Sequence, residues 1–277
     1  MRGTAGSAKR IGTALLAAWA GVATAWAAPR GGAADCTAGP SRPEVLEGIG
    51  LRGELRLASG ARAVLDSLRW PDAPDMAAAA QAWLDARRGT ALTLTPRGQR
   101  DRWGRERADI QRAEGDEDLA GGLIGEGLAF ADANEADSLC RPALHLVEAA
   151  ARAKRLGLWR EPLPAATDGP ALRALAGRFV VVEGRLRHVG ARSNRAYLDF
   201  GIRGTDALTV TVSKRTWRRV RARGLSAASL EGRPVRVRGV LEIWRGPTLE
   251  AGADAIEVLG EADRPEAGPE TERGLRR

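Results

Sequence analysis

One proline-rich break limits what this chain can fold into. Residues Glu161 to Pro170 read E-P-L-P-A-A-T-D-G-P. Proline lacks the N–H that helix and ladder both use, and it pushes the preceding residue out of the helical region. No regular element can run through this stretch. Before it, helical periods alternate with strands. After it, apolar residues recur mainly every second position. The chain of 277 residues is long enough for two such parts, each of about a hundred residues.

The first part predicts a hairpin from Leu51 to Leu68, with Leu55, Leu57 and Val64 alternating and Ser59-Gly60 as the turn. Asp75 is expected to cap a helix from Met76 to Arg88, stopped by Gly89. Ala91 to Thr95 alternates as a strand. Asp118 to Leu128 reads as a second helix. Ala143 to Leu156 reads as a third, with Leu144, Val147 and Ala151 in one apolar stripe and Gly157 as its expected C-cap. The second part predicts strands at Phe179 to Val189, Ala196 to Phe200, Ala207 to Val212, Val235 to Leu241 and Ala255 to Leu259. A short basic helix, Thr216 to Arg223, interrupts them. Five short strands at this spacing point to a small barrel.

The ends read differently. Arg2, Lys9 and Arg10 precede the uncharged run Ile11 to Ala27, which closes on the small-x-small site Ala25-Trp26-Ala27. This is the pattern of a secretory signal peptide over residues 1–27, with a retained membrane anchor as its alternative. Export to the periplasm or medium follows, with no stable membrane span after cleavage. The expected layout is then a linker at 28–45, a domain at 46–162, a linker at 163–170, a domain at 171–260 and a disordered tail at 261–277. The net charge is +8, and removing the leader's three cations leaves +5.

Two cysteines and two histidines exclude a disulfide-rich scaffold, a four-thiolate zinc site and a multi-histidine metal centre. In an oxidising compartment Cys36 and Cys140 pair by default. Closing a loop of that length stabilises by about 4–5 kcal/mol in the chain-entropy model. A reactive thiol is the alternative, with His145 as its one neighbouring histidine. His145 and His188 are read as structural.

Two stretches carry a family likeness. Asp101-Arg102-Trp103-Gly104-Arg105 is similar to the D-x-Y-G-R signature of staphylococcal-nuclease-like (thermonuclease) proteins. Leu119, Leu123, Gly127-Leu128-Ala129, Glu148, Ala151-Arg152, Arg155 and Gly157-Leu158-Trp159 resemble that family's following run. The likeness spans Leu51 to Arg160. It implies a five-stranded OB-type barrel with three helices, and calcium-assisted phosphodiester cleavage in which arginines clamp the phosphate and carboxylates hold the ion. Such groups work by stabilising charge gathered in the transition state.

Position by position, the resemblance keeps little of that machinery. Arg105 matches the signature arginine. The other clamp arginine falls on Val64, a metal aspartate on Arg69 and another on Gly53. Asp72 replaces a glutamate, and Arg62, Asp66 or Asp75 could substitute if the register slips. The catalytic candidates are therefore Arg105 and Asp72. No metal ligand set and no cofactor is expected, calcium entering only if the chain is an enzyme. Two carboxylates within about 5 Å of the Arg105 guanidinium would favour that reading.

The second part resembles the OB-like C-terminal extension of some exported bacterial thermonuclease homologues, through G-R-F-V-V-V-E-G-R, A-Y-L-D-F-G and V-R-V-R-G-V-L. Single-stranded nucleic acid or another anionic polymer would suit its residues. Tyr197, Trp217 and Trp244, with Trp103 of the first part, offer stacking faces. Arg218 and Arg221 on the basic helix, and Arg236 and Arg238 on one strand face, offer cations. The sequence thus reads as an exported thermonuclease homologue, catalytically impaired and binding an anionic polymer. An active calcium-dependent phosphodiesterase with a rearranged site and a structural envelope protein are the alternatives.

Overall fold

The computed structural model describes residues 36–115, 117–134, 138–202 and 206–260. The leader, the tail and residues 28–35 of the expected linker lie outside them.

The first lobe is built on β1 (Arg42–Ile49), β2 (Leu55–Leu57), β3 (Arg62–Leu65), β4 (Leu68–Arg69), β5 (Ala91–Pro96), β6 (Glu106–Arg112) and β7 (Phe130–Ala131). Alternate residues turn inward, as Leu55 and Leu57 do on β2 and Leu92 and Leu94 on β5. The ladder closes in the order β1-β2-β3-β6-β5, with β3 and β6 parallel. A parallel pair needs a crossover. It is supplied by β4, helix α1 (Pro74–Asp85) and β5. This closed five-strand barrel with helices is an OB-like α+β fold.

Helices α2 (Leu119–Gly125) and α3 (Leu144–Ala153) complete this lobe. Asp118 caps α2, accepting from the Gly121 N–H at 2.7 Å. Two expected caps differ. Helix α1 starts at Ala73, with Pro74 as the first helical residue and Asp75 inside the first turn. The preset φ of proline initiates this helix without a side-chain cap. Helix α3 ends at Lys154, and Arg155 turns left-handed. Gly157 instead meets Gly127 backbone to backbone. A Cβ on either would lie 2.2–2.3 Å from a carbonyl oxygen of the other turn.

Residues 161–170 are anchored to the second lobe at Ala166. The Ala166 N–H reaches the Glu183 carbonyl at 2.8 Å, and Ala166 is buried. Helix α4 (Gly169–Ala174) follows. The second lobe carries β8 (Phe179–Arg185), β9 (His188–Ala191), β10 (Arg195–Asp199), β11 (Thr209–Ser213), α5 (Lys214–Ala222), α6 (Ala227–Leu230), β12 (Pro234–Ile243), β13 (Pro247–Glu250) and β14 (Ile256–Val258). These make a seven-stranded sheet, where the sequence suggested five strands. The expected strand at Phe179 to Val189 is broken at Leu186 and Arg187 into β8 and β9, and β13 was not foreseen. Its four residues follow Gly246 and alternate too briefly to be read as a strand.

Each lobe has its own apolar core. A third cluster joins Ala151 and Trp159 of the first lobe to Phe179 and Val181 of the second. Phe130 stacks edge-on against Trp159 and lies 5.2 Å from the Phe179 ring.

Candidate functional site

A cavity of about 1160 Å³ runs between the lobes. Its first-lobe wall holds the signature turn between β5 and β6. Asp101 organises that turn, its Oδ1 accepting from the N–H groups of Trp103 and Arg105, both at 2.9 Å. Gly104 takes the positive φ the turn requires. Arg105 Nε donates to Asp101 Oδ2 at 2.7 Å, and its Nη1 lies 3.9 Å from Glu54 Oε2. Partial burial works against the charged form of Asp101. The Arg105 N–H and guanidinium and the Trp103 N–H outweigh it and hold the carboxyl below its usual range. The Arg102 and Arg105 guanidinium groups each lie over the exposed Trp103 ring, at 4.0 and 4.8 Å from its centre.

Two carboxylates therefore stand within 4 Å of Arg105, which meets the sequence condition for the enzyme reading. Both face the guanidinium itself. A neutralised arginine is a weaker phosphate clamp than a free one.

The other catalytic candidate takes part in joining the lobes. Asp72 Oδ2 accepts from the Phe179 N–H at 2.8 Å, and the Arg69 guanidinium lies 5.2 Å over the Phe179 ring. Asp66 is buried, gripped by Arg107 at 2.6 and 3.0 Å and by Ser67 Oγ at 2.6 Å. Arg62 donates to the Trp103 carbonyl, and Asp75 lies exposed on α1. Val64 lines the cavity as an apolar residue. Asp132, deep in the cavity wall, escaped the sequence reading. Burial pushes its carboxyl up, against the Asn134 N–H and the charges of Arg238 and Arg69.

The second lobe divides its expected binding residues. On α5, Arg218 and Arg221 are exposed, as is Lys214, while Trp217 lies half-buried against the core. Tyr197 on β10 is half-buried, with the Arg192 guanidinium 5.8 Å from its ring. Trp244, 81% exposed at the β12–β13 turn, donates from Nε1 to Glu242.

Arg236 and Arg238 require a correction: they share a strand face as expected, but both are buried and out of reach of an external phosphate. Their neighbours across the ladder explain it. Arg236 is paired in register with Glu183 on β8 and Glu257 on β14, and its guanidinium bonds both, at 2.6 and 3.0 Å. Arg238 crosses to the first lobe. It donates to the Ala131 carbonyl at 2.6 Å, pairs with Glu148 at 2.8 Å and also bonds Glu257. Burial opposes the charge on Glu148. Arg238 overrides it and, with the Ala131 N–H, holds that carboxyl down to about 2.

His145 stands 3.9 Å from both Glu148 and Glu257, beyond hydrogen-bond reach. The three side chains offer ligand atoms within 4.8 Å of one another. The Arg238 guanidinium already lies against both carboxylates, so a metal ion there would meet a fixed cation. His188 pairs with Glu231 at 2.9 Å on the surface. Cys36 and Cys140 form the expected disulfide. Among the described residues no helix is long and apolar enough to cross a membrane.

No protein-family profile matches the chain, and no curated protein sequence matches it. Among solved structures, the extended Tudor domain of Drosophila melanogaster Tudor-SN (p100) aligns at 16% identity with a TM-score of 0.32. The alignment covers 36% of this chain and 47% of that one, about half of that structure's length.

Proposed function

We propose that this chain is an exported homologue of the thermonuclease fold, with a disassembled catalytic set, that binds single-stranded nucleic acid or a similar anionic polymer. One observation carries the reading: charge is neutralised in the cleft and left exposed on α5. Arg105 and Arg107 are each held by a carboxylate. On α5, Lys214, Arg218 and Arg221 face solvent, and the helix contains no acidic residue.

The second lobe belongs to the same reading as a second OB-like barrel. Its pairing order, β9-β10-β11-β13-β12-β8, repeats that of the first, including a parallel pair between β11 and β13. Strands β8 and β9 then act as one bent first strand. The first domain runs to 162 and starts with β1 at Arg42, inside the expected linker, rather than at 46; the second is 171–260, and the leader sends the chain to the periplasm or medium.

The test is fluorescence anisotropy of a labelled single-stranded oligonucleotide across a salt series. Each phosphate neutralised contributes about 0.7 to the slope of log K against log salt. Replacing Lys214, Arg218 and Arg221 together by Gln should lower that slope by about two. An unchanged slope refutes the α5 surface.

The presence of Glu54 and Asp101 beside Arg105 favours a second reading, an active phosphodiesterase using calcium. Hard cations take oxygen ligands, and this reading requires Glu54 and Asp101 to turn from Arg105 to the ion. Rapid digestion of single-stranded DNA that a chelator abolishes would establish this reading and remove the first.

A further inference from the structure

We propose that the Cys36–Cys140 disulfide is an exchange site for a dithiol reductant, with Cys140 the sulfur that departs as thiolate against Arg107. Three features of the structure support it. Both cysteines are half-buried rather than sealed in a core. Arg107 Nη2 lies 3.6 Å from Cys140 Sγ, while the same guanidinium holds Asp66. Cys140 lines the inter-lobe cavity, beside Ser138 and Leu139. Although Asp66 pairs the Arg107 charge, an N–H donated to sulfur favours the thiolate, and a thiol whose thiolate is favoured is the better leaving group.

The electrons and atoms balance as follows. A thiolate of the dithiol attacks Cys36 Sγ, forming a mixed disulfide. The Cys36–Cys140 bond breaks, and its electron pair goes to Cys140. The second thiol of the donor, losing its proton, attacks its own sulfur in the mixed disulfide and frees Cys36, which takes up a proton. The chain gains two electrons, and the donor is oxidised to its disulfide.

What the bond joins gives the exchange a consequence. On one side is the arm at 36–39, held to the barrel through Gly39 N to the Pro96 carbonyl at 2.9 Å and Gly98 N to the Thr37 carbonyl at 3.0 Å. On the other is the cavity rim, where the Leu139 N–H bonds Asp254 of the second lobe at 2.9 Å. Neither cysteine lies in a barrel strand. Reduction therefore unties the rim from the arm and leaves the ladder β1-β2-β3-β6-β5 intact.

The full chain is equilibrated in dithiothreitol redox buffers, trapped with iodoacetamide and read by mass spectrometry, site by site. In the reduced wild type at pH 7, Cys140 should alkylate at least about threefold faster than Cys36. Arg107→Gln should shift the equilibrium toward the disulfide by roughly tenfold, about 30 mV for this two-electron couple. Arg107→Lys should restore most of it. Hydrogen exchange on the reduced chain should rise at the arm and rim alone. Equal alkylation of the two cysteines, or an unchanged midpoint in a folded Arg107→Gln chain, overturns the proposal. So does exchange that rises through both barrel cores, the mark of a purely structural crosslink. If Arg107→Gln does not fold, the wild-type alkylation ratio and exchange pattern decide.

Discussion

Arg236 and Arg238 on β12, and Lys214, Arg218 and Arg221 on α5, are equally basic stretches of one lobe, yet their surroundings are opposite. Strand β12 has neighbours on both edges, and each brings a carboxylate into register: Glu183 from β8 and Glu257 from β14. A guanidinium placed there is desolvated, and the carboxylates must neutralise it. Helix α5 buries Thr216 and Val220 on its inner face, and Lys214, Arg218 and Arg221 lie exposed to water. Whether an arginine binds a partner or holds the fold is set by what flanks its backbone, not by its own period along the chain.

The comparison breaks most forcefully at Arg238. Arg238→Ala leaves Glu148, 1% exposed, without its countercharge. Loss of one partner of a buried pair costs about 3–5 kcal/mol. Urea denaturation should show that loss. A cost below about 1 kcal/mol would mean that the seam between the lobes contributes little.

Acid should act on the same seam. Glu148 is held far below its ordinary value of 4.5, at about 2. A carboxyl lowered in the folded state contributes its full stability above its unfolded value and loses it as pH falls through the folded one. Melting temperature should therefore decline between pH about 4.5 and about 2, and Glu148→Gln should flatten that limb. A decline of equal depth in the variant would assign it to other carboxylates.

Asp132 is a smaller effect of opposite sign. Burial raises its carboxyl, so its favourable contribution exists below its unfolded value and disappears as pH climbs through the raised one. At neutral pH the charged form opposes folding. Asp132→Asn keeps an oxygen to accept the Asn134 N–H and removes that charge, so the variant should melt higher at pH 7. The difference should narrow in acid. A variant that melts lower at pH 7 would show that the charge is needed there.

These three groups also mark where sequence was sufficient and where it was not. The hairpin and β5 were legible, because Leu55, Leu57, Leu92 and Leu94 fall on alternate positions and Ser59-Gly60 makes the turn; the five-stranded barrel was implied only by the family resemblance, since β1 and β6, which close it, carried no signal that was read. The basic character of α5 was equally plain. The burial of Arg236 and Arg238 was not, since Glu183 and Glu257 lie 53 and 21 positions away from Arg236. Period along one strand cannot reveal which residue a neighbouring strand places opposite. Asp72 illustrates the same limit: its oxygen meets Phe179 N across 107 positions. Asp101 was visible as part of the signature turn, but its hold on Arg105 needed side-chain geometry. Glu54 follows Gly53, where the carried-over aspartate fell, and a shift of one residue would have found it.

The mildest effect on stability belongs to α5 and has the sign that separates it from β12. Lys214 and Arg218 are four residues apart, and Arg218 and Arg221 three, so like charges face each other along the helix. Such pairs destabilise a helix by about 0.2–0.5 kcal/mol each. Replacing all three by Gln should therefore leave stability unchanged or raise it by less than about 1 kcal/mol, while weakening polymer binding in low salt. Thermal melting and anisotropy on the same preparation give both readouts. A triple variant that loses more than about 1 kcal/mol would place these cations in the fold, as Arg238 is. One that keeps full binding would move the phosphate surface elsewhere, with exposed Trp244 and Trp103 the next residues to remove.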